Sequence, residues 1–133
     1  MFRSLDGGQH WESLQPFYEG SWFGAVYNRA NESLYVFGLR GNLFRSADFG
    51  TTWEPVSTGS DTTLAGGSAS YNGDMILVGG VGTVLTSQDG GDTFARHMMQ
   101  DRLSLSSGLA RDGKFIVVGQ GGVKISEGAT GND

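Results

Sequence analysis

Ser46-Ala-Asp48-Phe-Gly50-Thr-Thr-Trp53 occurs three times in variant form, at the same place in a longer repeat. Its copies are Ser4-Leu-Asp6-Gly7-Gly8-Gln-His-Trp11 and Ser87-Gln-Asp89-Gly90-Gly91-Asp-Thr-Phe94. The shared template is Ser-x-Asp-x-Gly-x-x-Trp/Phe, with Ser4, Asp6, Gly8 and Trp11 answering to Ser46, Asp48, Gly50 and Trp53, and to Ser87, Asp89, Gly91 and Phe94. The serines stand 42 and 41 residues apart. A period near 40 with fixed turn chemistry marks an array of small sheets, the pattern of a β-propeller.

Each motif is a turn closure. Aspartate is expected to accept hydrogen bonds from backbone N–H groups two or three residues on, and serine to add a second side-chain bond across the hairpin mouth. Glycine takes backbone conformations that cost other residues energy. The Trp or Phe then leaves the turn to pack between neighbouring sheets. A metal role would need several oxygens converging on one ion, which copies on separate blades cannot supply.

Outward from the motif, the rest of a blade follows. Four apolar residues precede a glycine three times: Leu34-Tyr-Val-Phe37, Met75-Ile-Leu-Val78 and Phe115-Ile-Val-Val118. Such runs suit strands covered on both faces. Gly38-Leu-Arg-Gly41, Gly79-Gly-Val-Gly82 and Gly119-Gln-Gly-Gly122 then supply tight turns, read here as positive-φ glycines. Small-residue segments such as Leu64-Ala-Gly-Gly-Ser-Ala-Ser-Tyr71 precede the apolar runs and read as innermost strands, where blades crowd the channel. Asn72-Gly73 and Asp112-Gly113 link them as hairpin dipeptides, and Asn28 to Ser33 forms a longer link. No segment holds a helical apolar period.

With strands lettered A to D from the channel outward, residues 2–14 form a C–D hairpin. Residues 15–56 and 57–97 form whole four-stranded antiparallel blades. Residues 98–126 form strands A, B and C, and 127–133 a tail. The expected class is therefore all-β, a propeller of about three encoded blades. Such an arc leaves sheet faces open. The C–D hairpin of one chain is expected to complete the A–B–C blade of another, so that a homo-oligomer closes a six-bladed ring.

Composition narrows the function. The chain has 133 residues, 23 glycines, two prolines and a formal charge of −5. That charge argues against nucleic acid, whose binding rests on Lys and Arg neutralising phosphates. No apolar run approaches membrane-spanning length. The opening Met1-Phe-Arg-Ser-Leu-Asp6 reads as repeat and not as signal peptide. With no cysteine, disulfides and thiolate metal sites are excluded. No cofactor is expected.

The triplicated turn is that of the Asp-box, or bacterial neuraminidase repeat. Gly38 to Trp53 fits the narrower signature Val/Phe-Gly-x-x-Gly-x-x-x-x-Ser-x-Asp-x-Gly-x-x-Trp in full, and Gly79 to Phe94 fits it with Phe for Trp. Over almost its whole length the chain resembles the photosystem II stability/assembly factor family and its relatives in non-photosynthetic bacteria. The resemblance implies a seven-bladed propeller in the thylakoid lumen or periplasm. It implies a non-catalytic scaffold that binds protein and aids assembly of a membrane complex.

Asp-boxes also typify sialidases, so a glycoside hydrolase or glycan-binding module is the rival. Those enzymes need three arginines gripping a carboxylate, a Tyr–Glu nucleophile pair and an Asp acid on the channel face. The connections expected on that face carry only Arg40 and Arg102, and Tyr18 and Glu19 are strand neighbours that point apart. No catalytic residue is assigned, although Glu19, Asp61 and Asp101 are carboxylates placed at one face. The candidate partner-binding residues are Tyr18, Trp22, Arg40, Arg102 and Gln120, since aromatics beside arginine favour protein interfaces. His10 and His97 are read as exposed. Arg3 and Arg45, equivalent positions before the serine, are read as paired charges extending the C–D hairpin.

Overall fold

A computed structural model describes residues 1–14, 20–100, 102–111 and 114–127. Strand β1 (Phe2–Arg3) pairs with β2 (Glu12–Ser13). The first blade orders β3 (Trp22–Asn28), β4 (Ser33–Gly38), β5 (Leu43–Ser46) and β6 (Glu54–Pro55). The second orders β7 (Leu64–Ala69), β8 (Met75–Gly79), β9 (Thr83–Ser87) and β10 (Ala95–Met98). The third sheet has β11 (Leu105–Arg111), β12 (Lys114–Gly119) and β13 (Gly122–Glu127). Every pairing is antiparallel. The chain is all-β and folds as a propeller arc. Tyr18, Glu19, Asp101, the Asp112-Gly113 link and the tail from residue 128 lie outside the described residues.

Alternation along the second strand of each blade builds the stack. Tyr35 and Phe37 point from β4 toward the second blade and meet Met75 and Leu77 of β8, with Val26, Leu43, Leu64 and Leu85 closing the cluster. Ile76 and Val78 leave the other face of β8 and meet Phe115 and Val117 of β12, with Val84, Met99 and Leu105. Burying each such side chain contributes about 1.5–3 kcal/mol. The same alternation leaves Leu109, Ile116 and Val123 exposed on the far face of the third sheet. At the opposite end Phe2 and Trp11 are exposed. Both ends carry a third strand, β1 and β13, so two chains closing a ring would need one of these to yield.

The glycine turns correct one expectation. Gly38 and Gly79 are extended, at φ −174 and −168, and not left-handed. Space demands them: a Cβ would lie 2.0 Å from the Ser21 carbonyl oxygen at Gly38, and 1.9 Å from that of Thr63 at Gly79. Each sits near a register irregularity in the partner strand, between Trp22 and Gly24 and between Leu64 and Gly66. The later glycines, Gly41, Gly82 and Gly122, do have positive φ. Arg40 and Val81 precede two of them and are themselves left-handed, at φ 58 and 57.

The Asn72-Gly73 link is also not a two-residue primed turn. Gly73 N–H donates to Ser70 O at 3.1 Å, and of the intervening residues only Gly73 reaches positive φ. The hairpin is an ordinary turn followed by a left-handed glycine.

Candidate functional site

The three Ser–Asp turns share one hydrogen-bond plan. In the second, the Ser46 hydroxyl donates to Asp48 Oδ1 (2.8 Å) and accepts from Gly50 N–H (2.7 Å). Asp48 Oδ1 accepts from Thr52 N–H at 2.8 Å, and Oδ2 from the Thr52 hydroxyl at 2.6 Å. Asp89 is held alike by Ser87, Thr93 N–H and the Thr93 hydroxyl. In the first turn His10 replaces threonine: its N–H lies 2.8 Å from Asp6 Oδ1 and its Nδ1 2.5 Å from Oδ2. The decisive donor is thus four residues beyond the aspartate, further than the sequence reading allowed. The shared Thr52 and Thr93 were the signal that could have shown it.

These bonds favour the ionised carboxyl. The Thr52 hydroxyl and N–H bring Asp48 down to about 2, and the Thr93 hydroxyl and N–H do the same for Asp89. Asp6 is also lowered, first by the His10 N–H and then by the His10 ring. All three carboxylates are consumed by their own turns, and no cluster of metal-ligating side chains occurs among the described residues. Trp11 and Trp53 donate through Nε1 to Gly8 O and Gly50 O, both at 3.0 Å. Phe94 packs on the first core cluster. Trp11 remains 65% exposed, at the open end of the stack.

Arg3 and Arg45 pair with Glu12 and Glu54 within their own hairpins. Each also reaches the next blade's turn: Arg3 donates to Phe49 O (2.8 Å), and Arg45 meets Asp92 at 2.5 Å. Glu54 first and Asp92 second hold the Arg45 guanidinium charged.

The opposite end of the blades carries the predicted binding residues. Arg40 lies exposed in the turn after β4. Together with Ser57, Ser60, Asp61 and Arg96 it lines a hollow of about 510 Å³. Among the described residues neither Arg40 nor Arg96 has an ion-pair partner. Arg96, on β10, escaped the sequence reading because strand order alone does not bring β10 beside the neighbouring turn. Arg102 is exposed and left-handed at φ 53, with its N–H on Met99 O at 3.1 Å. Its Cα lies 3.0 Å from where a Cβ on Gly82 would stand.

Gln120 is exposed in the turn after β12 and accepts from Ser104 N–H at 3.2 Å, so its amide braces a loop. Trp22 is half-buried, edge-on to Phe44 at 5.6 Å, and serves packing as well as surface. Arg40, Arg102 and Gln120 thus share the end formed by the B–C turns and blade connections. Tyr18 lies outside the described residues.

Comparison with solved structures finds the same architecture elsewhere. A chain described as YCF48 bound to D1 peptide matches with a TM-score of 0.78 and 20% identity, over 96% of this chain and 43% of that one. YCF48 from Cyanidioschyzon merolae matches at 0.76 and 19%, over 90% and 40%. An ancestral GH74 enzyme matches at 0.79 and 16%, over 98% and 20%. The chain therefore spans less than half the length of these propellers. No protein-family model and no curated protein matches the sequence. At such identities the likeness establishes the fold.

Proposed function

We propose that this chain is a non-catalytic propeller segment that binds protein through the end bearing Arg40. The observation that carries this is the hollow in which Arg40 and Arg96 stand without ion-pair partners among the described residues, in a chain of net charge −5. Arginine is favoured at interface anchors because its planar fork makes several directed bonds at once. The neighbour described with a bound D1 peptide supports a polypeptide as ligand. On the Asp-box resemblance, the role is that of an assembly factor for a membrane complex, in the periplasm or thylakoid lumen. The same reading admits a second copy burying the exposed apolar end faces, and sedimentation at rising concentration tests it. A strict monomer removes that part alone.

The direct test is fluorescence anisotropy with a labelled D1 peptide. Arg40→Ala and Arg96→Ala are expected to weaken binding about tenfold each, the cost of a charge-assisted contact. Equal binding by wild type and both variants, or binding by none, overturns the reading.

The GH74 neighbour keeps a rival in view. Among the described residues Asp61 is the one carboxylate lining the hollow, whereas glycoside hydrolysis calls for two. Turnover of a panel of chromogenic glycosides, lost in Asp61→Asn, would favour the enzyme.

A further inference from the structure

The first blade's A strand, β3, runs about 20 Å from the mouth formed by the B–C turns to the mouth formed by the A–B links. Trp22 stands at the end with Arg40, and Asn28 at the other. That other mouth, where the A–B links gather, holds a hollow of about 630 Å³ lined by Tyr27 and Arg29 of the first blade, Ser70, Tyr71 and Asn72 of the second, and Ala110 of the third. Three successive blades contribute to it, so propeller stacking creates it and no single sheet contains it.

Its chemistry differs from a plain turn cluster. Tyr71 occupies a turn position, where small polar residues are usual, and is 90% exposed. Tyr27 is 48% exposed. The Arg29 guanidinium lies over the Tyr71 ring, 5.9 Å from its centroid. Among the described residues Arg29 has no carboxylate within ion-pair reach and is the only charged side chain in the lining. The backbone beneath is fixed: Ala30 N–H donates to Asn28 Oδ1 at 3.1 Å, and the buried Asn28 amide donates to Gly73 O at 3.0 Å. Tyr, Ser, Asn and Arg on rigidly held loops are the composition of a protein-binding paratope. Tyrosine gives large contact area at small entropic cost, and short polar side chains adapt their hydrogen bonds.

We propose that this mouth is a second binding site, separate from the Arg40 end, for a protein segment carrying a carboxylate beside an aromatic or aliphatic side chain. The carboxylate pairs with Arg29 in place of water. The apolar side chain lies against Tyr71 and Tyr27. Charge complementarity selects the acidic class, since among the described residues the lining offers one charged group, the Arg29 guanidinium.

The test is an amide NMR titration with two capped peptides, Gly-Glu-Phe-Glu-Gly and its twin with both Glu changed to Gln. The expected result is saturable shifts at residues 27–31 and 69–73, with a dissociation constant on the order of 1 mM for so short a ligand. The Gln twin should bind at least about fivefold more weakly. Tyr71→Ala and Arg29→Gln should each abolish the shifts; an exposed position keeps the fold, and unchanged dispersion of the remaining amides checks that. Equal binding of both peptides, shifts confined to the Arg40 end, or no shifts overturns the proposal. Saturable shifts with cellohexaose but not with the acidic peptide also overturn it, by making the mouth a sugar site. Arg40→Ala should leave this titration unchanged, which separates its outcome from that of the first site.

Discussion

The junction between the first and second blades and the junction between the second and third are built from the same alternation yet held differently. Both bury an apolar cluster. The first adds a polar clasp: the Gly90 carbonyl accepts from the Tyr35 hydroxyl (2.9 Å), the Asn31 amide (2.5 Å) and, at longer range, the Asn28 amide (3.4 Å). Arg45 reaches Asp92 on the same turn. At the second junction, among the described residues, the Ser68 hydroxyl donates across the blades to Gly108 O at 2.8 Å. The clasp is built on the second repeat's Ser–Asp turn, which supplies both Gly90 and Asp92. The Ser–Asp turn therefore does two tasks: it closes its own hairpin and presents a carbonyl to the blade before it.

Paired glycine substitutions should separate the junctions most strongly. A Cβ on Gly91, at φ +90, would stand 2.1 Å from the Tyr35 hydroxyl, inside the clasp. Gly91→Ala is expected to cost about 3 kcal/mol or more in urea unfolding. A Cβ on Gly108 meets Ile76 Cδ1 at 3.2 Å, Val78 Cγ1 at 3.3 Å and the Ile116 carbonyl oxygen at 3.4 Å, a far milder crowding. Gly108→Ala should cost about 1 kcal/mol. Equal losses would mean that the clasp is not what distinguishes the first junction.

Next in size is Asn28→Ala, expected to cost about 2 kcal/mol by leaving the Gly73 carbonyl without its buried donor. Ile76→Val, its apolar counterpart in the second cluster, should cost about 1 kcal/mol.

Acid should loosen the first junction before the second. Asp89 and Asp48 fall in the folded state from the ordinary 3.8 to about 2. A depressed carboxyl stabilises the fold above its unfolded value and loses that contribution as pH falls through the folded one. Stability should therefore decline between about pH 4 and pH 2, and Asp89→Asn should flatten part of that slope in thermal melts. An unchanged slope would deny Asp89 this role.

Smaller still, Arg45→Gln should cost under about 1 kcal/mol, because its partners Glu54 and Asp92 are largely exposed. The loss should shrink further in 1 M salt.

Much of this architecture is visible in the chain before any coordinates. Runs such as Met75-Ile-Leu-Val78 announce strands buried on both faces, because both faces must be apolar for blades to stack. The three turns announce themselves because their geometry demands serine, aspartate and glycine at fixed offsets. What escaped was whatever depends on a neighbouring blade. Gly38 and Gly79 looked like φ glycines, but the carbonyls of Ser21 and Thr63 require them. The Asn28–Ser33 link reads only as a longer connection, but it docks on Gly90. Arg96 and the pairing of Tyr71 with Arg29 arise from residues some 40–60 positions apart, and no local pattern marks them. Trp22, which can be read both as core packing and as an interface anchor, is half-buried and meets the Phe44 ring edge-on.

The reach of Arg3 and Arg45 gives the stack a direction. Each arginine holds its own hairpin and then grips the turn that follows, never the one behind. Trimming this arc from its amino-terminal side would strip an arginine brace from the turn left behind, while trimming from the carboxyl-terminal side would leave Arg45 without Asp92 and the three Gly90 donors without their carbonyl. Transplanted blades should therefore be moved in adjoining pairs.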